Sequence, residues 1–106
     1  MSANQFNRVV VLNRGEAAVR FIRAARTWSR INNKPLDVVA LYTTPDTTAP
    51  FVRMASQAIP LGEPLVPGPN GVMRSAYLDI ERVIRLAKKV DASAFLHRSV
   101  CVRIHA

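Results

Sequence analysis

The chain opens with a run of apolar residues at positions 9–12 that no polar residue interrupts. Such a run is typical of a parallel strand that is covered on both faces. Gly15 then allows a tight turn, and beyond it Phe21, Ile22 and Ala25 recur at the spacing of one helix face. The pattern therefore predicts a buried strand that leads into an amphipathic helix.

A second strand is predicted at residues 36–42. Pro35 ends the helix before it, and turn-forming residues at 43–46 follow it. The helix between the two strands is then a crossover, and a βαβ unit of this kind holds its strands in parallel.

The middle of the chain is less regular. Residues 51–57 predict a short helix, and residues 58–61 predict a weak strand in which Pro60 is expected at a sheet edge. Residues 62–74 contain three prolines and three glycines, which favours an irregular surface loop at residues 65–71.

A last helix is predicted at residues 80–89, with Asp79 as its N-cap, and a fourth strand at residues 92–96. The stripe expected to face the sheet consists of Ile80, Val83, Ile84 and Ala87. Together the elements predict one α/β domain with three layers, a mainly parallel sheet of about four strands and helices on both faces. A chain of 106 residues can bury one core and is too short for two.

The net charge indicates a second possible function. The formal net charge is +8, with fifteen basic and seven acidic residues, so a basic module that binds an anionic partner is an alternative function. The basic residues are spread over the whole chain, and no RNA-reading motif or zinc finger accompanies them, so nucleic acid is not the expected partner.

The composition also indicates the cellular compartment. The longest apolar runs are far shorter than the ~20 residues of a membrane-spanning helix, and residues 1–5 do not resemble a secretory signal. Cys101 is the only cysteine, which excludes an internal disulfide. We therefore expect a cytoplasmic protein without membrane association.

The turn formed by Asn13, Arg14, Gly15 and Glu16 is the candidate ligand-facing site, because open α/β sheets bind ligands beyond the carboxyl ends of their strands. One glycine is not a dinucleotide-binding fingerprint, and the chain has no phosphate-binding loop motif. Glu16 would also oppose a phosphate. A turn shaped by geometry alone explains the same residues, so both interpretations stay open.

Two weaker candidates follow. Glu16 and Arg20 are spaced four apart on the polar face of the first helix, where a solvated pair contributes only about 0.3–0.5 kcal/mol. His97, Cys101 and His105 are also spaced four apart, but three ligands near a chain end do not make a closed tetrahedral site. We expect no metal site and no Cys-His catalytic pair there.

The string FNRVVVLNRGEAAVR at residues 6–20 resembles the start of the biotin carboxylase component of biotin-dependent acetyl-, propionyl- and other acyl-CoA carboxylases and pyruvate carboxylases. Further pieces follow in the family's order, namely residues 38–42, Asp46, residues 52–55 and residues 75–80. The resemblance extends to about residue 94. The end of the first helix and residues 42–46 look closer to the large multidomain acetyl-CoA carboxylases.

The resemblance implies a pre-ATP-grasp, Rossmann-like domain at residues 1–96 and a divergent tail at residues 97–106. It also implies that the first helix helps to form a subunit interface, in which Arg20 and Arg23 match the family's basic positions. Thr27 stands where compact family members tend to carry an acidic residue, so this chain departs from their pattern.

The family uses ATP, Mg and biotin, but its lysines, metal-binding glutamates and glycine-rich lid belong to domains that would follow. This chain replaces the family's Pro-Gly-aromatic-Gly loop with residues 97–106, which suggests a truncated reading frame or an N-terminal fragment. We therefore expect no catalytic residues and no bound cofactor in this chain alone, and expect the remaining carboxylase domains as its partners. Self-association is expected through the Arg20 and Arg23 face, the fourth strand and residues 100–102.

Overall fold

A computed structural model describes residues 7–97 and 100–103. The strands are β1 (Arg8–Val11), β2 (Asp37–Thr43), β3 (Gln57–Gly62), β4 (Leu65–Pro67), β5 (Met73–Ser75), β6 (Ala94–His97) and β7 (Val100–Arg103). The helices are α1 (Gly15–Asn32), α2 (Pro50–Met54) and α3 (Ile80–Lys89), with short 3₁₀ turns at Thr44–Asp46 and Ala76–Leu78. Within the described residues, no helix has the length and apolar composition needed to cross a bilayer.

The main sheet has the strand order β3-β2-β1-β6-β7. β1 pairs in parallel with β2 and β6, and β2 pairs in parallel with β3. This confirms the predicted mainly parallel sheet, and Pro60 lies on the edge strand β3 as expected. β7 adds an antiparallel strand beside β6, in the tail to which the sequence assigned no element.

Helices cover both faces of the sheet. Successive side chains of a strand point to opposite sides, so each central strand packs against helices on both faces. Val10 and Leu12 pack in one cluster with Val83 and Ala87 of α3. Val11 lies on the other face, in a cluster with members of α1 and α2. These members are Ala18, Val19, Ile22, Ala25 and Phe51. The three-layer prediction is therefore confirmed.

α3 has the predicted bounds, and the Asp79 side chain caps it by accepting a hydrogen bond from the Arg82 backbone N–H at 3.4 Å. Val83 and Ala87 are fully buried as expected. The expectation that Ile80 faces the sheet is wrong: Ile80 is 39% exposed. It is the first residue of the helix and lies at the margin of the core.

Residues 62–74 are more regular than expected. β4 and β5 form a two-stranded antiparallel sheet in which Leu65 pairs with Ser75 and Pro67 pairs with Met73. The Gly68 N–H donates to the Val72 carbonyl at 2.8 Å and so closes the turn between the strands. Pro67 is compatible with pairing because a two-stranded sheet leaves one side of each strand without a ladder. The expectation of an irregular loop is therefore wrong for these paired residues.

Candidate functional site

The predicted turn lies where β1 ends, between two neighbouring parallel strands. Leu12 donates its backbone N–H to the Leu96 carbonyl of the β6 strand at 2.9 Å, while β2 flanks β1 on the other side. The chain continues from β1 to β2 on one side, whereas β6 lies on the other side of β1, so the direction of the strand order reverses here. In open α/β sheets, the ligand crevice lies at such a reversal. Arg14 is the extended N-cap residue of α1, and Gly15 has φ +58°. That left-handed conformation favours glycine.

Arg14 forms a two-pronged ion pair with Asp46, which follows the end of β2. The Arg14 Nε lies 2.6 Å from Asp46 Oδ2, and Arg14 Nη2 lies 3.0 Å from Oδ1. The Asp46 side chain is only 15% exposed, whereas that of Arg14 is 56% exposed. Hydrogen bonding from Arg14 lowers the pKa of the Asp46 carboxyl, so this group stays ionised and is a weak base.

Tyr77 adds a third element to the same edge. Its hydroxyl accepts a hydrogen bond from the Thr43 backbone N–H at 3.2 Å and donates one to Asp46 Oδ2 at 3.3 Å. The Arg14 guanidinium carbon lies 5.7 Å from the centre of the Tyr77 ring, within the range of a cation–π contact. Burial raises the pKa of the Tyr77 hydroxyl. We call Arg14, Thr43, Asp46 and Tyr77 the edge cluster.

The loop that carries Asp46 is itself held by short hydrogen bonds. The Thr44 hydroxyl donates to the Gly62 carbonyl at 3.0 Å, and the Thr47 hydroxyl donates to the Thr44 carbonyl at 2.6 Å. The Asp46 carbonyl accepts the Ala49 N–H at 2.9 Å. The edge cluster thus joins the turn after β1 to the loop after β2. Its two charges neutralise each other, so its geometry suits it to position the turn rather than to transfer a proton.

Of the other predicted site residues, Asn13 lies in the turn before α1, whereas Gly15, Glu16, Arg20 and Arg23 lie on α1. Asn13 is half-buried, whereas Gly15 and Glu16 are exposed. Arg20 and Arg23 are both exposed on α1. Within the described part of the chain, the ion pairs are Arg8–Asp37 and Arg14–Asp46, so the predicted Glu16–Arg20 pair is not formed.

The tail candidates yield less. Among residues 7–97 and 100–103, no group of three His, Cys, Asp or Glu side chains is arranged to hold a metal. His105 and the side chains of His97 and Cys101 lie outside the described residues.

Arg14 belongs to the site predicted from the sequence, whereas Asp46 and Tyr77 have no predicted site role. A usable signal existed for Asp46, since a basic and an acidic residue lie within four residues of the ends of two strands predicted to be parallel neighbours. Tyr77 lies 31 residues beyond Asp46 and follows no strand of the main sheet, so no local pattern could have placed it there.

Comparison with known proteins gives consistent results. The family model described as biotin carboxylase, N-terminal domain, matches residues 5–97. The chain is 40% identical over 89 residues to Biotin carboxylase 2 of Bacillus subtilis (strain 168), covering 84% of this chain and 17% of the relative. It is 38% identical over 93 residues to the biotin-dependent acyl-coenzyme A carboxylase alpha3 subunit of Mycobacterium leprae (strain TN), covering 88% and 13%.

A solved structure agrees with these relatives. The biotin carboxylase domain dimer of Hydrogenobacter thermophilus 2-oxoglutarate carboxylase, in complex with MgADP, ADP and bicarbonate, superposes with a TM-score of 0.63 and 35% identity. The match covers 87% of this chain and 17% of that chain. The chain thus spans about a sixth of the length of such relatives. Acetyl-CoA carboxylase 2 of Oryza sativa subsp. japonica is 27% identical over 81% of this chain and 4% of its own length, so identity does not single out the large acetyl-CoA carboxylases.

Proposed function

Since the chain belongs to the family of biotin carboxylase N-terminal domains, we propose that it serves an enzyme that carboxylates biotin with bicarbonate and ATP, for the carboxylation of an acyl-CoA. The observation that carries the proposal is the family match over residues 5–97, which includes the turn after β1 and the loop after β2. Two curated relatives that match most of this chain are named a biotin carboxylase and an acyl-CoA carboxylase subunit.

In this proposal, the turn formed by Asn13, Arg14, Gly15 and Glu16 faces the ligand-binding region that the rest of the enzyme completes. The ion pair between Arg14 and Asp46 supports the proposal, because it fixes the turn at the carboxyl edge of the sheet with two bonds to a largely buried carboxylate. Bidentate pairs of this kind give orientation as well as energy. The turn then contributes shape to the enzyme, while no residue of this chain reacts.

The proposal assigns the binding of ATP, Mg and biotin to the rest of the parent enzyme. It is supported by the short span of the match, which is 13–17% of the Bacillus and Mycobacterium relatives. In this scheme, residues 1–96 are the biotin carboxylase N-terminal domain, and residues 97–106 are a tail whose sequence diverges from the family. The single cysteine of the chain fits a reducing compartment such as the cytoplasm.

The test is an assay of ATP cleavage that depends on biotin and bicarbonate. A polypeptide of these 106 residues is expected to show only background ADP formation, with the B. subtilis relative as the positive control. Added to that relative after deletion of its own matching segment, the polypeptide is expected to restore a part of the activity. Turnover by the polypeptide alone would overturn the claim of inactivity. A folded polypeptide that binds the deleted enzyme without restoring turnover would overturn the proposed function.

The outer face of α1 is the proposed contact with a second subunit or with other carboxylase domains. Arg20 and Arg23 are exposed there, and the H. thermophilus relative is described as a dimer. Sedimentation over a concentration series is expected to show self-association that weakens in an Arg20→Glu, Arg23→Glu variant. An Arg53→Glu, Lys34→Glu variant changes the net charge equally and serves as the control. A strictly monomeric polypeptide at high concentration would contradict this assignment for the isolated chain.

A further inference from the structure

The outer side of α3 carries a surface groove of about 380 Å³ that no step of the proposed function uses. Among the residues that the structure describes, those that line it are Arg82, Arg85, Leu86 and Lys89. They follow the i, i+3, i+4, i+7 spacing of a single helix face. The buried Val83 and Ala87 occupy the opposite side of the helix, so the groove is open to solvent while α3 stays anchored to the core.

The positive charge of the groove is not neutralised within the described part of the chain. Neither ion pair found there involves Arg82, Arg85 or Lys89. Asp79 is engaged as the cap of the helix, and Glu81 forms no ion pair with Arg85 although it precedes it by one turn. Three cations therefore stand along about 10 Å of helix axis.

The middle of the groove is apolar. Leu86 lies between Arg82 and Lys89 in the helical spacing, is half-buried, and packs against the core cluster beneath α3. A phosphate chain or a nucleic acid backbone gains little from such a floor, since its contacts are electrostatic. An amphipathic helix with carboxylates on either side of a leucine matches both the charges and the floor.

We propose that the groove on α3 is a docking site for an acidic amphipathic helix of a protein partner. Carboxylates of the partner pair with Arg82, Arg85 and Lys89, and an apolar side chain of the partner rests on Leu86. Arginine suits this role because its planar guanidinium binds carboxylates with two parallel hydrogen bonds. The surface of α3 lies away from the edge cluster, so the test of this docking site does not depend on the biotin carboxylase assignment.

The probe for the test is a labelled synthetic helix with glutamates and leucine on one face, titrated by fluorescence anisotropy onto the 106-residue polypeptide. The Arg82→Gln, Arg85→Gln, Lys89→Gln variant is expected to bind about tenfold more weakly or worse, as expected for three exposed charge pairs lost together. The Arg30→Gln, Lys34→Gln, Arg53→Gln variant loses the same charge from exposed positions elsewhere and is expected to bind as the unmodified chain does. Circular dichroism checks that both variants fold.

Two further binding experiments distinguish an acidic amphipathic helix from other anionic partners. Replacing the probe's leucine by serine keeps its charge and is expected to weaken binding, because the contact with Leu86 is lost. A mixed-sequence DNA duplex and anionic lipid vesicles are expected to bind more weakly than the probe at physiological salt. Tighter binding of either, equal losses in the two triple variants, or an unchanged affinity of the serine probe would each overturn the proposal.

Discussion

Tyr77→Phe is the substitution that tests the edge cluster most cleanly. The change removes one hydroxyl from a residue that is 7% exposed and leaves the aromatic ring in place, so the contact with the Arg14 guanidinium is kept. It removes the acceptor of the Thr43 N–H. Thr43 lies where the register between β2 and β3 shifts, so the regular ladder is interrupted at the residue that Tyr77 satisfies.

The expected cost is about 2 kcal/mol of unfolding free energy. Thr43 is 1% exposed, and a buried backbone N–H that loses its partner costs about 1–3 kcal/mol. The bond from Tyr77 to Asp46 adds little, because at 3.3 Å it is long for an O–H donor and Arg14 still satisfies the carboxylate. The loss is a sizeable share of the about 5–15 kcal/mol that holds a domain folded.

Urea unfolding followed by circular dichroism measures the effect. With a typical slope of about 1–3 kcal/mol per molar urea, the midpoint is expected to fall by about 1 M at an unchanged slope. Tyr42→Phe is the matched control, because the half-buried Tyr42 hydroxyl makes no hydrogen bond within the described residues. Its effect is expected to stay within about 0.5 kcal/mol. Equal midpoints for the two variants would refute the reasoning.

Three further predictions follow from the same contacts. Arg14 lowers the pKa of Asp46 in the folded state, so the stability that Asp46 contributes is present above its ordinary pKa of 3.8 and is lost as the pH falls through its pKa in the folded chain. The difference in urea midpoint between the unmodified chain and Asp46→Asn is therefore expected to shrink from pH 7 to pH 3. Because burial raises the pKa of Tyr77 above the ordinary 10.0, the folded chain is expected to lose stability as the pH rises above about 10, and ultraviolet absorption should show a late phenolate component that Tyr77→Phe removes. Asp79→Ala removes the side-chain cap of α3 and is expected to cost about 1 kcal/mol in thermal or urea unfolding, whereas Glu81→Ala, which removes no cap, is expected to cost less.

Hydrophobic periodicity predicted the elements that carry the core. The uninterrupted run at β1 and the spacing of Ile22 and Ala25 depend only on which faces are buried, and α3 has the predicted bounds. The β4–β5 hairpin was missed because its prolines and glycines resemble a loop. Its pairing depends on a close approach at Gly68, where an added Cβ would lie 2.9 Å from the Val72 carbonyl oxygen, and composition does not show such contacts.

The edge cluster could be predicted only in part for a related reason. Arg14 and Asp46 are 32 residues apart and meet because β1 and β2 run in parallel, with Val11 opposite Ala40. That meeting follows from the topology that the sequence predicts. Tyr77 reaches the cluster from a 3₁₀ turn, and its position depends on how the whole segment between β3 and α3 packs. No periodicity within the segment encodes that packing.

The central claim is that this chain performs the part of a biotin carboxylase N-terminal domain. A chimera that carries residues 5–97 in place of the matching segment of B. subtilis Biotin carboxylase 2 tests it most directly, by the rate of ADP formation that depends on biotin. The account predicts turnover well above that of the relative with the segment deleted. A chimera that folds and stays at the level of the deleted enzyme would contradict the claim.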